Sequence, residues 1–143
     1  MIVRAAALED AKRATELFVA QLREHDLDIA EEHIAKRVEA AIPNGTVLVA
    51  VKDAVIGVAW ISFAEPLERA GEVAFIEELY VVPAERERGV GGKLVEAAIA
   101  IAESRGCVTI ELETKRSHAR AANLYRRHGF RDLERTHYAR FMR

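Results

Sequence analysis

Hydrophobic and polar positions along the chain follow two periods, one typical of strands and one typical of helices. Short runs of alternating or β-branched apolar residues predict strands over residues 2–4, 46–51, 55–63, 73–82, 108–112, 130–133 and 138–142. Apolar residues spaced three or four positions apart predict helices over residues 8–24, 28–42, 94–102 and 118–125. The predicted order is therefore β-α-α-β-β-β-α-β-α-β-β.

This order of elements indicates an α/β fold built on one mixed sheet. Lys52-Asp53 is a tight turn between two strand patterns, so these strands are expected to form an antiparallel hairpin. The later strands alternate with crossover helices, and such connections place helices on both faces of a twisted sheet. No internal repeat, low-complexity stretch or linker interrupts the chain, so we expect a single domain over residues 1–143.

Composition excludes several functional classes. Hydrophobic residues make up 50% and charged residues 31% of the chain, which is typical of a folded globular protein. The formal net charge of −2 gives no bulk attraction to nucleic acid, and no apolar run approaches the roughly 18 residues that a membrane span requires. The single Cys107 rules out a disulfide framework, and the first residues lack the apolar segment of a signal peptide. We therefore expect a cytoplasmic protein with neither a nucleic-acid nor a membrane partner.

A cationic, glycine-rich loop lies between the fourth strand and the third helix. Pro83 ends the strand, and Arg86-Glu-Arg-Gly-Val-Gly-Gly-Lys93 follows before the helical pattern begins. Backbone N–H groups at a helix N-terminus are free to bind an anion, and the helix dipole favours negative charge there. Lys93 is followed by Leu94 rather than Ser or Thr, so the loop does not match a nucleoside-triphosphate P-loop. Its Gly-x-Gly also comes too late in the chain for a dinucleotide fingerprint.

Three segments together resemble the GNAT family of N-acetyltransferases. Arg86-x-x-Gly89-x-Gly91 is similar to the family's central acetyl-coenzyme A motif, Arg/Gln-x-x-Gly-x-Gly/Ala. The preceding Glu-Glu-Leu-Tyr-Val-x-Pro (77–83) and the following Ala-x-x-Leu-Tyr-x-x-x-Gly-Phe (121–130) extend the resemblance. It implies an enzyme that uses acetyl-CoA as co-substrate and whose fourth and fifth strands splay apart to admit the coenzyme.

The resemblance also implies how acetyl-CoA is held. Backbone N–H groups of residues 87–93 cradle the pyrophosphate together with the charges of Arg86 and Arg88, and the main chain of Val81 holds the pantetheine arm. His118 stands where the family usually has an asparagine that contacts the coenzyme, so it is either such a contact or only a helix-start residue. The implied coenzyme-binding residues are Leu79, Val81, Arg86, Glu87, Arg88, Gly89, Val90, Gly91, Gly92, Lys93, His118 and Asn123.

Acetyl transfer to an amine needs a base for the amine and an acid for the departing thiolate. The resemblance implies Tyr125 as the general acid, although an aromatic residue on the buried face of the last helix would give the same pattern. It places the thioester near Glu77, so we expect Glu77 to be the base or the anchor of the amine, with Glu78 as the second candidate. Because side chains alternate along a strand, Glu77 and Glu78 are predicted to face opposite sides of the sheet. The histidines lack ligand-like spacing, so no metal is expected.

The acceptor is less well defined by the sequence. Acidic residues lie between the first two helices and in residues 65–72, which suits a small cationic amine, although a solvated acidic surface gives the same pattern. A protein N-terminus or a lysine side chain is the alternative acceptor. A non-catalytic acyl-CoA-binding module on the same fold is an alternative of another class. A homodimer is an option that the resemblance leaves open.

Overall fold

The computed structural model describes residues 1–142. They form two compact units, one over Met1–Glu113 and one that begins at Thr114. The first unit contains the sheet and three α-helices, and the second contains the last α-helix. Within the described residues, no helix is long and apolar enough to cross a membrane. That the chain acts as a single domain stays a prediction.

The first unit is built on a five-stranded sheet whose strands lie in their order along the chain. They are β1 (Ile2–Ala5), β2 (Val47–Lys52), β3 (Ala54–Ala64), β4 (Val73–Val81) and β5 (Thr109–Leu112). β1 to β4 pair antiparallel, whereas β5 pairs parallel with β4. Asp53 adopts a left-handed φ of 64° in the tight turn between β2 and β3, a conformation that Asp tolerates. The predicted α/β fold with a mixed sheet is confirmed.

Helices pack on both faces of this sheet. The helices of the first unit are α1 (Ala11–Glu24), α2 (Glu31–Ala41) and α3 (Val90–Ser104). Phe18 of α1 and Val38 of α2 join one buried cluster with Val58 of β3. The neighbouring Gly57 faces the other side, where a Cβ atom would lie only 3.1 Å from Leu94 Cδ1 of α3. The lack of a side chain at Gly57 therefore lets α3 approach the sheet closely.

A β-bulge interrupts β4 at its centre. Trp60 of β3 pairs with Glu78, but the next residue of β3, Ile61, pairs with Ile76, so Glu77 is one extra residue in β4. β5 pairs only with the first half of β4, Val73–Ile76. Within residues 1–142, the second half of β4 has no partner strand on that side, and this is the divergence of the fourth and fifth strands that the resemblance implies.

The sequence predicts two final strands, over 130–133 and 138–142, and both predictions are wrong. The second unit contains α4 (Ala119–Arg127), and residues 131–142 have no regular secondary structure. All of these residues are exposed, including Phe141 at 86%. An alternating pattern shows which face a strand would bury, but a strand forms only where a partner edge supplies backbone hydrogen bonds. For residues 131–142 the structure shows no such pairing.

Candidate active site

The loop after β4 leads into α3 through two left-handed residues. Glu87 has a φ of 65° and Gly89 a φ of 84°, and Gly89 is the N-cap of α3. The Lys93 N–H group donates to the Gly89 carbonyl at 3.1 Å, so it is already used inside the helix. The N–H groups of the three preceding residues, 90–92, have no acceptor within the helix, and no side chain caps them. These three donors are therefore the backbone N–H groups available to the predicted anion cradle.

The side chain of Arg86 is engaged within the protein. Its Nε donates to the Val81 carbonyl at 2.9 Å, and its Nη2 lies 3.0 Å from Glu24 Oε2. The Tyr80 hydroxyl donates to the same oxygen at 2.8 Å, and the guanidinium lies over the Tyr80 ring. Partial burial acts to raise the pKa of Glu24, but these two hydrogen bonds outweigh it and the pKa is lowered. Arg86 therefore ties the loop to the end of α1.

Replacing Glu24 by Gln is expected to lower the free energy of unfolding at pH 7 by roughly 1 kcal/mol. The substitution removes the negative charge that accepts hydrogen bonds from Tyr80 and Arg86. The effect is modest because the Glu24 side chain is 46% exposed. The pKa is lower in the folded protein than the ordinary value of 4.5. The carboxylate's contribution is therefore present above pH 4.5 and is lost as the pH falls through the folded value.

Urea unfolding of wild type and Glu24→Gln at pH 7 and at acid pH measures this contribution. Glu16→Gln is the matched control on α1, because it breaks only an exposed ion pair with Arg13 and is expected to change stability little. A Glu24→Gln deficit that is equally large at both pH values would show that the charge of Glu24 is not what stabilises the loop.

At the edge that β5 leaves open, the second half of β4 presents backbone groups that do not bond to β3. The Val82 N–H group donates to the Ile56 carbonyl at 2.9 Å. Because hydrogen-bonded and non-hydrogen-bonded pairs alternate, the peptide groups of Leu79 and Val81 point away from β3. Their carbonyls accept side-chain bonds, from Gln21 Nε2 at 3.2 Å in the case of Leu79. Leu79 and Val81, both predicted to bind the coenzyme, thus lie along one edge of the sheet.

A cavity of about 470 Å³ opens beside the bulge. Its walls are mostly aromatic and aliphatic, and they include the edge-to-face pair Phe18–Trp60, with ring centroids 5.7 Å apart. Its lining residues are Phe18, Leu22, Leu27, Ile29, Ile34, Arg37, Trp60, Ser62, Glu77 and Glu78. An apolar cavity of this size with a few polar groups is typical of a small-molecule site.

Glu77 and Glu78 both line this cavity, so the prediction that they face opposite sides is wrong. The physical reason is the bulge, which inserts Glu77 as an extra residue and breaks the alternation of side chains. Ser62 Oγ donates to Glu77 Oε1 at 2.7 Å and fixes its position. Glu78 is half-buried, and its pKa is raised by burial and by the charge of Glu77, against the opposing charge of Arg37. Glu78 therefore holds a proton more readily than an ordinary glutamate.

The second unit carries the remaining predicted residues. Tyr125 of α4 is half-buried and packs edge-to-face on Phe130, with centroids 5.9 Å apart. Its burial raises the pKa of the phenol. His118 is the N-cap of α4, and its carbonyl accepts from the Ala122 N–H group at 3.1 Å. Asn123 is exposed, and its Oδ1 accepts from Arg126 at 3.1 Å.

The acidic segments that the sequence suggested for the acceptor contribute little to the cavity. Glu72 pairs with Arg105 at 2.6 Å, and Glu24 belongs to the network described above. The connection between α1 and α2 lines the cavity with Leu27 and Ile29 instead. No group of His, Cys, Asp and Glu side chains suited to a metal ion lies within residues 1–142.

Sequence reasoning missed three polar or aromatic groups of the cavity. They are Arg37, Trp60 and Ser62. Trp60 and Ser62 share one face of β3 because they are two residues apart, and this period is visible in the sequence. Their position inside an apolar strand, however, indicates core packing rather than a binding surface.

Comparisons with known proteins show the family and the fold of the chain. The sequence profile of the Acetyltransferase (GNAT) family matches residues 10–130. Aminoglycoside N(6')-acetyltransferase type 1 of Klebsiella aerogenes is 32% identical over 114 residues, which cover 78% of this chain and 73% of that protein. A crystal structure of a probable acetyltransferase superimposes with a TM-score of 0.87 at 21% identity, over 100% of this chain and 99% of the other.

A further similar structure is an aminoglycoside N-acetyltransferase in complex with CoA. It superimposes with a TM-score of 0.85 at 20% identity, over 99% of this chain and 94% of the other. At such identities the two structural likenesses show the fold alone.

Proposed function

The chain belongs to the Acetyltransferase (GNAT) family, and from this premise we propose that it acetylates a small cationic amine held in the cavity beside the β4 bulge. The resemblance predicted from the sequence is thereby confirmed, and the protein is an acetyl-CoA-dependent N-acetyltransferase. The acceptor and the residues that act on it are the subject of the proposal. The observation that carries it is the pair of carboxylates, Glu77 and Glu78, side by side in an aromatic-walled cavity.

Two backbone features of the first unit fit the coenzyme. The uncapped N–H groups of residues 90–92 supply donors for a pyrophosphate at the positive end of a 15-residue helix. On the open edge of β4, the Val81 N–H group can donate a strand-like hydrogen bond to the extended pantetheine arm, whereas the Leu79 and Val81 carbonyls already accept from Gln21 and Arg86. When it is bound there, acetyl-CoA supplies an activated acyl carbon at the bulge. Arg86 then acts by holding the loop, while the exposed Arg88 adds positive charge.

In the proposed reaction, Glu77 and Glu78 draw the ammonium group of the acceptor into the cavity. Glu78 accepts one proton from it, which leaves a neutral nitrogen that forms a bond to the acyl carbon. A backbone N–H group on the open edge of β4, that of Leu79, stabilises the negative charge that develops on the acyl oxygen. The carbon–sulfur bond breaks, and Tyr125 protonates the departing sulfur. The nitrogen loses its second proton as the amide forms, and this proton restores the phenol of Tyr125, while Glu78 releases its own proton to solvent. The ammonium group thus loses two protons, of which the thiol gains one and the solvent the other.

The nature of the cavity supports a small acceptor over a protein one. A volume of about 470 Å³, lined by apolar side chains and a few polar ones, suits a small molecule. The relative from Klebsiella aerogenes is named for an aminoglycoside, which is also a small amine. Cytoplasmic location and a homodimer stay predictions.

The test of this function is the release of free thiol from acetyl-CoA in the presence of amines. The panel contains polyamines, aminoglycosides, amino acids and peptides, and mass spectrometry identifies the acetylated product. We expect turnover with at least one small amine and weaker turnover with peptides. If acetyl-CoA raises the Tm but no amine is acetylated, the protein is instead a non-catalytic acyl-CoA-binding module.

The anion cradle makes a separate prediction. Gly91→Pro is expected to weaken acetyl-CoA binding by roughly tenfold or more relative to Gly91→Ala, because it removes one charge-assisted hydrogen bond. Both variants add a Cβ atom, but proline also disfavours a helical conformation of the preceding Val90, so the difference is assigned to the N–H group only if the two variants have equal Tm values. Isothermal titration calorimetry with acetyl-CoA measures it. Equal dissociation constants for the two variants would argue against phosphate binding at this helix end.

A further inference from the structure

Arg37 is a cation of the cavity that forms no close ion pair with a carboxylate among residues 1–142. Its guanidinium lies 5.6 Å from the centroid of the Trp60 ring, and its side chain lines the cavity at an exposed position on α2. Arg69, Arg86 and Arg105 of the same unit each hold a carboxylate, at 2.8, 3.0 and 2.6 Å. Among residues 1–142, no ion pair within 4.0 Å involves Arg37. Arg37 is therefore available to a carboxylate from outside the chain.

The position of Arg37 relates it directly to the carboxylates of the bulge. Trp60 is the cross-strand partner of Glu78, so the ring that carries Arg37 stands beside Glu78 on the same face. Burial and the charge of Glu77 raise the pKa of Glu78, and the charge of Arg37 opposes them, which shows that the two groups sense each other. The cavity thus presents an acidic end at the bulge and a basic end on α2.

The acidic and basic ends of the cavity favour some amines over others. A polyamine brings a second ammonium group toward Arg37, and two like charges at close range repel each other. A molecule with an ammonium group at one end and a carboxylate at the other matches both ends of the cavity. A planar guanidinium also suits a carboxylate, because it donates two parallel hydrogen bonds.

We propose that Arg37 binds a carboxylate of the acceptor, so that the substrate is an amino-acid-like molecule with a side-chain amine rather than a polyamine. This inference rests on the proposed function, since Glu77 and Glu78 must receive the amine. The aliphatic chain of such an acceptor lies along the Trp60 ring, between Arg37 and Glu78.

The test compares L-lysine with 1,5-diaminopentane, which is lysine without its carboxylate. We expect wild type to have the higher kcat/KM with lysine. Arg37→Gln is expected to lower the ratio of the two kcat/KM values by about tenfold or more, through loss of a charge-assisted hydrogen bond. Lys36→Gln is the matched control, because it removes the same charge from the adjacent residue, which does not line the cavity. It is expected to leave the ratio as in wild type.

Binding gives a second measurement that does not depend on turnover. Trp60 is the single tryptophan of the chain, so its fluorescence reports the cavity directly. In the presence of CoA, lysine is expected to change this fluorescence at lower concentration than 1,5-diaminopentane does, and Arg37→Gln to abolish the difference. A wild type that prefers 1,5-diaminopentane, or a ratio that Arg37→Gln leaves unchanged, would overturn the role of Arg37 while leaving acetyl transfer intact. If no amine is acetylated, the proposed function fails first and the inference falls with it.

Discussion

Glu78→Gln is expected to lower kcat by roughly a hundredfold or more, which is the usual contribution of a general base. Glutamine keeps the size and the polarity of the side chain but cannot accept the proton of the amine. Glu78 is the better placed of the two carboxylates for this role, because it is half-buried and its pKa is raised toward that of a working base. Thiol release at saturating acetyl-CoA and acceptor measures kcat.

Glu77→Gln is the matched comparison for this experiment. Glu77 is exposed, accepts a hydrogen bond from Ser62 and is proposed to anchor the ammonium group. Its loss is expected to raise KM for the acceptor more than it lowers kcat, by about tenfold. If Glu77→Gln loses kcat while Glu78→Gln does not, the two roles are exchanged and the assignment from burial is wrong.

Tyr125→Phe is the second substitution with a large expected effect, a fall in kcat of about a hundredfold. The change removes one hydroxyl group and retains the ring that packs on Phe130. Because burial raises the pKa of the phenol, Tyr125 stays protonated at neutral pH and is ready to donate to the departing sulfur. Thiol-release kinetics and calorimetry with acetyl-CoA together separate this role from binding, since the affinity for acetyl-CoA is expected to change little.

Tyr138→Phe controls for the loss of a tyrosine hydroxyl in the same unit. Tyr138 is exposed and lies outside α4, so this variant is expected to behave as wild type. Unchanged turnover in Tyr125→Phe would mean that another group, or water, protonates the sulfur.

The strand and the helix on either side of the predicted coenzyme-binding loop could be predicted because their sequence signals are local. Three signals follow one another directly in the sequence. They are the apolar run that ends at Val82, the glycines at 89, 91 and 92, and the helical period after them. The structure places Gly89 at the N-cap of α3, as a residue with a left-handed φ of 84° that glycine adopts without strain.

The arrangement of Glu77 and Glu78 could not be predicted, because a bulge depends on how two strands pair. Trp60 of β3 and Glu78 of β4, which face each other, are 18 positions apart, and one residue more or less in the pairing reverses the side on which each carboxylate lies. The contact between Arg37 and Trp60 could not be predicted either, because Arg37 lies on a helix and reaches the Trp60 ring of β3 only in the folded chain. The two final strands failed for the opposite reason, since the local pattern was present but a partner strand was not.

The pH dependence of kcat/KM tests the central claim most directly, namely that the bulge makes Glu78 the base of the reaction. A protonated Glu78 cannot accept a proton, so activity is expected to be low at acid pH. It should rise as the pH passes through a value above 4.5, the ordinary pKa of a glutamate, since the pKa of Glu78 is raised. In Glu78→Gln this rise should be absent, and the only remaining pH dependence should be the one caused by deprotonation of the amine substrate. A rise with the same midpoint in wild type and in Glu78→Gln would contradict the account.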